Sequence, residues 1–281
     1  MSATRFTNLV GCMLPVQLAA MGGVGTTELA AAVAGAGGLG MVPAGTQPAA
    51  GACGVNFILP FAPSLEDIAA VARQCRVVEF FYADPRADVV AAAHGAGALA
   101  GWQVGSAAEA VAAEMAGCDY VVAQGIEAGG HVRGSQGLDH VLAQVLSSVR
   151  IPLVAAGGIA TADRAAAVIR SGADAVRVGT RFVASPESGA HPDYIRMLLA
   201  ATADDTVLTE WFSDGWPNAP HRVLQSCVAA AQETGWRATV PPYRGIDRDP
   251  SDMAMYAGMG VGAVNLSEPA AQVVADLVRL L

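Results

Sequence analysis

The segment Gln124-Gly125-Ile126-Glu127-Ala128-Gly129-Gly130-His131 sets an imidazole in a glycine-rich loop directly after an apolar run. Two further glycine turns, Ala156-Gly157-Gly158-Ile159 and Gly179-Thr180-Arg181, follow the apolar runs Leu153 to Ala156 and Ala175 to Val178. Glycine lets backbone N–H groups approach an anion closely, and a threonine hydroxyl adds a donor. Gly157, Gly158, Gly179 and Thr180 therefore read as a phosphate cup. Each turn alone is an ordinary tight turn; their occurrence after successive runs is what points to phosphate. Beside such a cup, His131 is a candidate general base or substrate hydrogen-bonder, against the plainer reading of a capping or surface residue. His94, His140, His191 and His221 have no partners at metal-ligand spacing, so they read as structural or exposed and no metal site is expected.

The elements that must position these loops alternate. Short β-branched runs expected as strands are Leu14 to Leu18, Leu39 to Val42, Val55 to Leu59, Val77 to Phe81, Leu99 to Val104, Tyr120 to Ala123, Leu153 to Ala156 and Ala175 to Val178. Between them, helices are expected over Thr26 to Ala36, Ser64 to Cys75, Asp88 to His94, Ala107 to Ala116, Leu138 to Val149 and Thr161 to Ser171. Eight parallel strands with intervening helices make a (β/α)8 TIM barrel, whose loops after the strands build the active site. The connection Pro43 to Gly54 is too short and too rich in proline and glycine for a helix, so it is expected as a loop. The barrel core with its cofactor site is expected over 1–185. Residues 186–281, with Trp211, Trp216, Pro217, Pro220, Pro241 and Pro242, show no strand alternation and are expected as a helical and loop extension capping it.

Composition removes whole classes of chemistry. The 281 residues are 53% hydrophobic, enough for a large core and incompatible with disorder. All 16 basic side chains are arginine, so Schiff-base and P-loop lysines are absent. A net charge of −9 disfavours nucleic acid, and no arginine cluster tracks a phosphate backbone. The five cysteines, Cys12, Cys53, Cys75, Cys118 and Cys227, are scattered and lack metal or redox spacing; with no signal-like opening or long apolar span, a cytoplasmic protein off the membrane is expected. Gly35, Gly37 and Gly40 satisfy G-x-G-x-x-G, but they end a helix and enter a strand, the reverse of a dinucleotide site. Helix termination and close helix-to-strand packing explain them better.

Several segments together resemble the nitronate monooxygenases, formerly 2-nitropropane dioxygenases: Pro15-Val16-Gln17 through Val24, Glu28 to Gly40, Gly54-Val55-Asn56-Phe57, Gln124 to His131, Ala155 to Ile159 and Val178 to Phe182. The likeness runs from about residue 8 to 185, with weaker matches at Trp216 to Leu224 and Tyr256-Ala257-Gly258. It implies an FMN-dependent barrel that uses O2 to convert alkyl nitronates to carbonyl compounds and nitrite. By position it implies that Ala20, Met21, Gly22 and Asn56 flank the isoalloxazine, that Gln103, Gln124 and Gly129 line it, and that the glycine cup holds its phosphate. His131 matches the active-site histidine. The sequence departs from the family's commonest pattern in a short loop after the second strand, in Ala20 where proline is usual, and in Arg177 where many relatives have glutamine.

The alternatives at this point are an NAD(P)H-dependent FMN reductase of an enoyl thioester, on acyl-carrier protein or CoA, and a non-catalytic FMN- or phosphate-binding barrel. The expected partners are a small nitronate or thioester and O2, with assembly into identical copies left open. Strand parity adds one structural expectation. Glu79 and Arg177 each oppose their apolar strand neighbours, so both face the barrel interior and pair there, Glu127 being the other candidate carboxylate. Trp211, Trp216, Trp236 and Tyr243 either wall a pocket or form core beneath the extension.

Overall fold

The computed structural model describes residues 3–51, 53–61, 63–216 and 218–281; Pro217 lies outside the described residues. In chain order the first elements are α1 (Arg5–Val10), β1 (Val16–Leu18), α2 (Thr27–Gly35), β2 (Gly40–Pro43), β3 (Cys53–Ile58), α3 (Leu65–Ala72), β4 (Val77–Phe81), α4 (Ala87–Gly95), β5 (Leu99–Val104) and α5 (Ala107–Met115). Then come β6 (Tyr120–Gln124), β7 (Gly130–His131), α6 (Leu138–Ser148), β8 (Leu153–Ala156), α7 (Ala162–Arg170), β9 (Ala175–Val178), α8 (Thr180–Val183) and α9 (Pro192–Ala200). The remainder is β10 (Thr206–Thr209), β11 (His221–Leu224), α10 (Gln225–Thr234) and α11 (Ala270–Val278).

Eight of these strands form one parallel sheet in the order β1-β9-β8-β6-β5-β4-β3-β2. It closes into a barrel where Leu18 donates its N–H to Leu39 and Leu39 donates to Val16, both at 2.9 Å. The expected (β/α)8 barrel is thus present. Strands such as β4 and β6 are buried at every residue, because helices cover the outside and side chains fill the inside. Thr26, Ser64, Ser106 and Thr161 each accept the N–H three residues on, starting α2, α3, α5 and α7. Each such cap contributes about 1 kcal/mol.

The glycine motif of α2 and β2 has the packing role expected of it. Gly37 has φ +97°, a left-handed conformation that ends the helix turn, and a Cβ at Gly40 would overlap the Ala30 carbonyl oxygen. Gly40 lets α2 press onto β2. Among the described residues no helix lies between β2 and β3, as expected from the composition of that connection.

Two features were not foreseen. Helix α1, capped by Thr4, sets Phe6 edge-on against Tyr120, with ring centroids 5.3 Å apart, and closes the bottom of the barrel. After β9 the chain is not purely helix and loop: β10 pairs antiparallel with β11, which pairs with β7. These strands of two to four residues are too short to show alternation, and their pairing is set by tertiary contact rather than local preference. The last helix, α11, returns to the barrel, and Ala270, Val273, Val274 and Leu277 join its main core. Among the described residues no helix is long and apolar enough to cross a membrane.

Candidate active site

One cavity of about 730 Å³ opens at the C-terminal ends of the barrel strands. Ala20, Met21, Gly22, Asn56, Gln103, Gln124, Gly129, His131, Gly157, Gly158, Gly179 and Thr180 all line it. The fold therefore brings together the twelve candidate site residues, although they come from separate strands and loops along the barrel.

At one end the glycine turns after β8 and β9 meet. Gly157 and Gly158 adopt φ of +122° and +65°, and a Cβ on Gly158 would press to 3.1 Å on Glu127. Among the described residues the N–H groups of Gly157, Gly158 and Gly179 donate to no protein acceptor. The first N–H groups of α8, beginning at Thr180, lack intrahelical partners as at any helix start. The Thr180 hydroxyl accepts the Gly258 N–H at 3.0 Å, which leaves its own proton free to donate. Gly258 and Gly260 complete the cup: a Cβ on Gly258 would approach the Glu127 carbonyl oxygen to 2.8 Å, and one on Gly260 the Gly158 carbonyl oxygen to 3.0 Å. The sequence pointed to Gly258 only through weak likeness and did not point to Gly260.

The floor is polar. Asn56 and Gln103 are 6% and 8% exposed and project from β3 and β5. The Asn56 side chain has no protein partner among the described residues, whereas Gln103 accepts from Arg177 at 2.6 Å. Arg177 is paired with Glu79, the first of the two carboxylates left open by the sequence. Glu127 serves elsewhere. Its carboxylate accepts the Leu138 N–H at 2.9 Å and so caps α6, whose own cap residue, Gly137, has no side chain to do so.

The opposite wall carries His131. β7 and β11 put His131 in register with His221, and the two rings are 5.0 Å apart. Gln124 holds the segment by donating to the His131 carbonyl at 2.9 Å and accepting the Arg133 N–H at 3.1 Å, so both ends of its amide are spent on the wall. Trp216 stacks on His131 with centroids 3.8 Å apart, and Tyr82 meets Trp216 edge-on at 4.6 Å. The His131 Nε2 is buried without a protein partner. Burial, and secondarily the neighbouring His221, depresses the His131 pKa to about 3, so the ring is neutral at physiological pH.

His221 was read as structural or exposed; it is fully buried beside the key residue. Its Nε2 accepts the Phe212 N–H at 3.2 Å, so Nδ1 carries the proton and donates to the Ala219 carbonyl at 2.9 Å. The aromatic cluster divides between its two readings. Trp216 walls the cavity, while Trp211 donates to the Trp236 carbonyl at 2.8 Å and both pack under the extension. None of the cysteines lines the cavity, and burial raises the Cys118 and Cys227 thiols to about 12, which makes them unreactive.

The chain is similar in sequence and in fold to known proteins. The chain is 33% identical over 253 residues to the (3aS,4S,5R,7aS)-5-hydroxy-7a-methyl-1-oxo-octahydro-1H-indene-4-carboxyl-CoA dehydrogenase of Mycobacterium tuberculosis, covering 84% of this chain and 70% of that protein. To the nitronate monooxygenase of Pseudomonas aeruginosa it is 32% identical over 280 residues, covering 76% and 80% of the two chains. FabK from Thermotoga maritima superposes with a TM-score of 0.87 at 31% identity, over 99% of this chain and 96% of that one. The sequence profile of the family described as nitronate monooxygenase matches residues 52–279, which takes in the floor, the histidine wall and the glycine cup, and the chain belongs to that family of oxidoreductases.

Proposed function

We propose that the protein is an FMN-dependent nitronate monooxygenase that oxidises alkyl nitronates with O2 to carbonyl compounds and nitrite. The observation that carries this reading is the cavity with N–H donors at one end that meet no protein acceptor among the described residues, carboxamides on its floor and a half-buried neutral imidazole on its wall. FMN fits these residues. Its phosphate suits a cup of glycines in which a Cβ would crowd backbone at Gly157, Gly258 and Gly260 and side chains at Gly158 and Gly179, and its heteroatom-rich ring suits Asn56 and Gln103. A bound flavin would supply the electron-accepting chemistry.

The protein's own residues have narrower tasks. His131, neutral to about pH 3, is a poor base for a carbon acid and a suitable hydrogen-bonding group for nitro oxygens. A nitronate arrives already deprotonated and needs no strong base, so the state of His131 favours nitronate over neutral nitroalkane. Trp216 and Tyr82 shield the imidazole from water, which strengthens any hydrogen bond it makes. Gln124 fixes the His131 backbone and thereby the ring's height above the floor.

The 33% identity to a CoA-thioester dehydrogenase favours one second reading, redox chemistry on an acyl thioester with NAD(P)H as electron source. An absorption spectrum of the purified protein tests the shared premise, since bound flavin is yellow. Gly179→Asp sets a Cβ 3.3 Å from the Ala19 methyl, adds a negative charge where the phosphate would bind, and is expected to give a folded, colourless protein. Full flavin retention in that variant would contradict the phosphate assignment.

A further inference from the structure

Beneath the cavity the barrel interior holds a charged cluster that the reading above leaves without a task. Glu79 of β4, Gln17 of β1 and Tyr120 of β6 are fully buried, and Arg177 of β9 is 6% exposed. The Arg177 Nη2 contacts both Glu79 oxygens. Its Nε and Nη2 also donate to Gln17 Oε1 at 3.1 and 3.0 Å. Gln17 Nε2 and the Tyr120 hydroxyl donate to Glu79 Oε1 at 2.6 and 2.5 Å. The cluster is thus closed on itself below, with one bond directed upward: Arg177 Nη1 donates to Gln103 Oε1 at 2.6 Å.

That one bond decides what the cavity floor offers. A carboxamide has an acceptor end and a donor end, and a guanidinium is always a donor. With its oxygen drawn toward Arg177, Gln103 turns its NH2 to the other side. Gln103 lines the cavity, and its NH2 has no protein partner among the described residues. Without the guanidinium the amide would be free to turn either way.

We propose that Arg177 is a positioning residue: by holding the Gln103 oxygen it makes Gln103 a hydrogen-bond donor into the cavity, and this donor floor favours the more electron-rich, reduced form of the bound flavin. The proposal rests on the flavin reading. Glu79 is the counter-ion that makes a buried guanidinium tolerable there, and its own acceptors are consumed within the cluster.

The test is the reduction potential of bound FMN in four proteins: wild type, Gln103→Leu, the neutral pair Arg177→Met/Glu79→Gln, and the triple variant. Gln103→Leu and the neutral pair are each expected to weaken binding of reduced relative to oxidised FMN about tenfold, which lowers a two-electron potential by about 30 mV. The triple variant is expected to fall no further, since Arg177 acts through Gln103. Unchanged potentials, or falls that add in the triple variant, would overturn the proposal while leaving the flavin reading intact. A wild-type protein that takes up no FMN would overturn both. Should the neutral pair not fold, Gln103→Glu keeps the acceptor for Arg177 and replaces the donor by a carboxylate oxygen. It is expected to melt like wild type and bind FMN about tenfold more weakly, and undiminished FMN affinity would overturn the proposal.

Discussion

His131 is held as a neutral ring by stacked indole and a second imidazole, with no carboxylate partner among the described residues. The unfolded chain binds a proton at His131 below about pH 6.5, whereas the folded chain does so only near 3. The folded pKa of this basic group is depressed, so the unfolded state binds more protons between those values and stability falls as pH drops through them. The loss is a few kcal/mol in order of magnitude. His131→Phe is expected to melt with a shallower decline between about pH 6.5 and 4.5 than wild type, read by thermal denaturation across that range. A decline as steep as in wild type would show that His131 is not buried uncharged. At this scale the sequence showed much, for a physical reason. Charged residues in the middle of apolar strands of a barrel face its interior, so parity alone turned Glu79 and Arg177 inward, while the choice between Glu79 and Glu127 as partner needed the structure. Gln17, in the middle of β1, obeys the same rule. His221 carried no such signal, because its meaning comes from pairing with a residue ninety positions away.

The elements were legible where local chemistry specifies them. Runs such as Val77–Phe81 and Leu99–Val104 begin and end where their composition changes, and serine or threonine caps mark the helix starts. Elements that exist only through tertiary contact were not: β7 is two residues long, and β10 and β11 are four each. α11 completes the barrel's outer layer from the far end of the chain, beyond an excursion that no periodicity predicts. Gly40 shows how tightly one such layer is set. A methyl group there must displace the Ala30 carbonyl and with it α2, so Gly40→Ala is expected to destabilise the fold by about 1–3 kcal/mol in urea denaturation. Gly35, which ends α2 in the same motif, meets nothing within 4 Å, and Gly35→Ala is expected to be neutral or slightly stabilising. Equal effects at the two positions would refute the packing role given to Gly40.

At the scale of the whole molecule, the barrel supplies a rigid floor and a glycine cup, and the excursion after β9 supplies the wall that covers His131. β11 anchors that wall by pairing with β7, and Trp216, from the loop between β10 and β11, lies over the imidazole. Barrel and excursion thus line one cavity. The most direct measurement is nitrite release with O2 consumption from a short alkyl nitronate by the FMN-loaded protein, alongside the same protein carrying His131→Ala. The wild type is predicted to release nitrite in step with oxygen uptake, and His131→Ala to keep its flavin while losing about a hundred- to ten-thousand-fold in rate. A yellow wild-type protein that releases no nitrite, yet is bleached by NAD(P)H and reoxidised by an enoyl thioester, would contradict the nitronate reading.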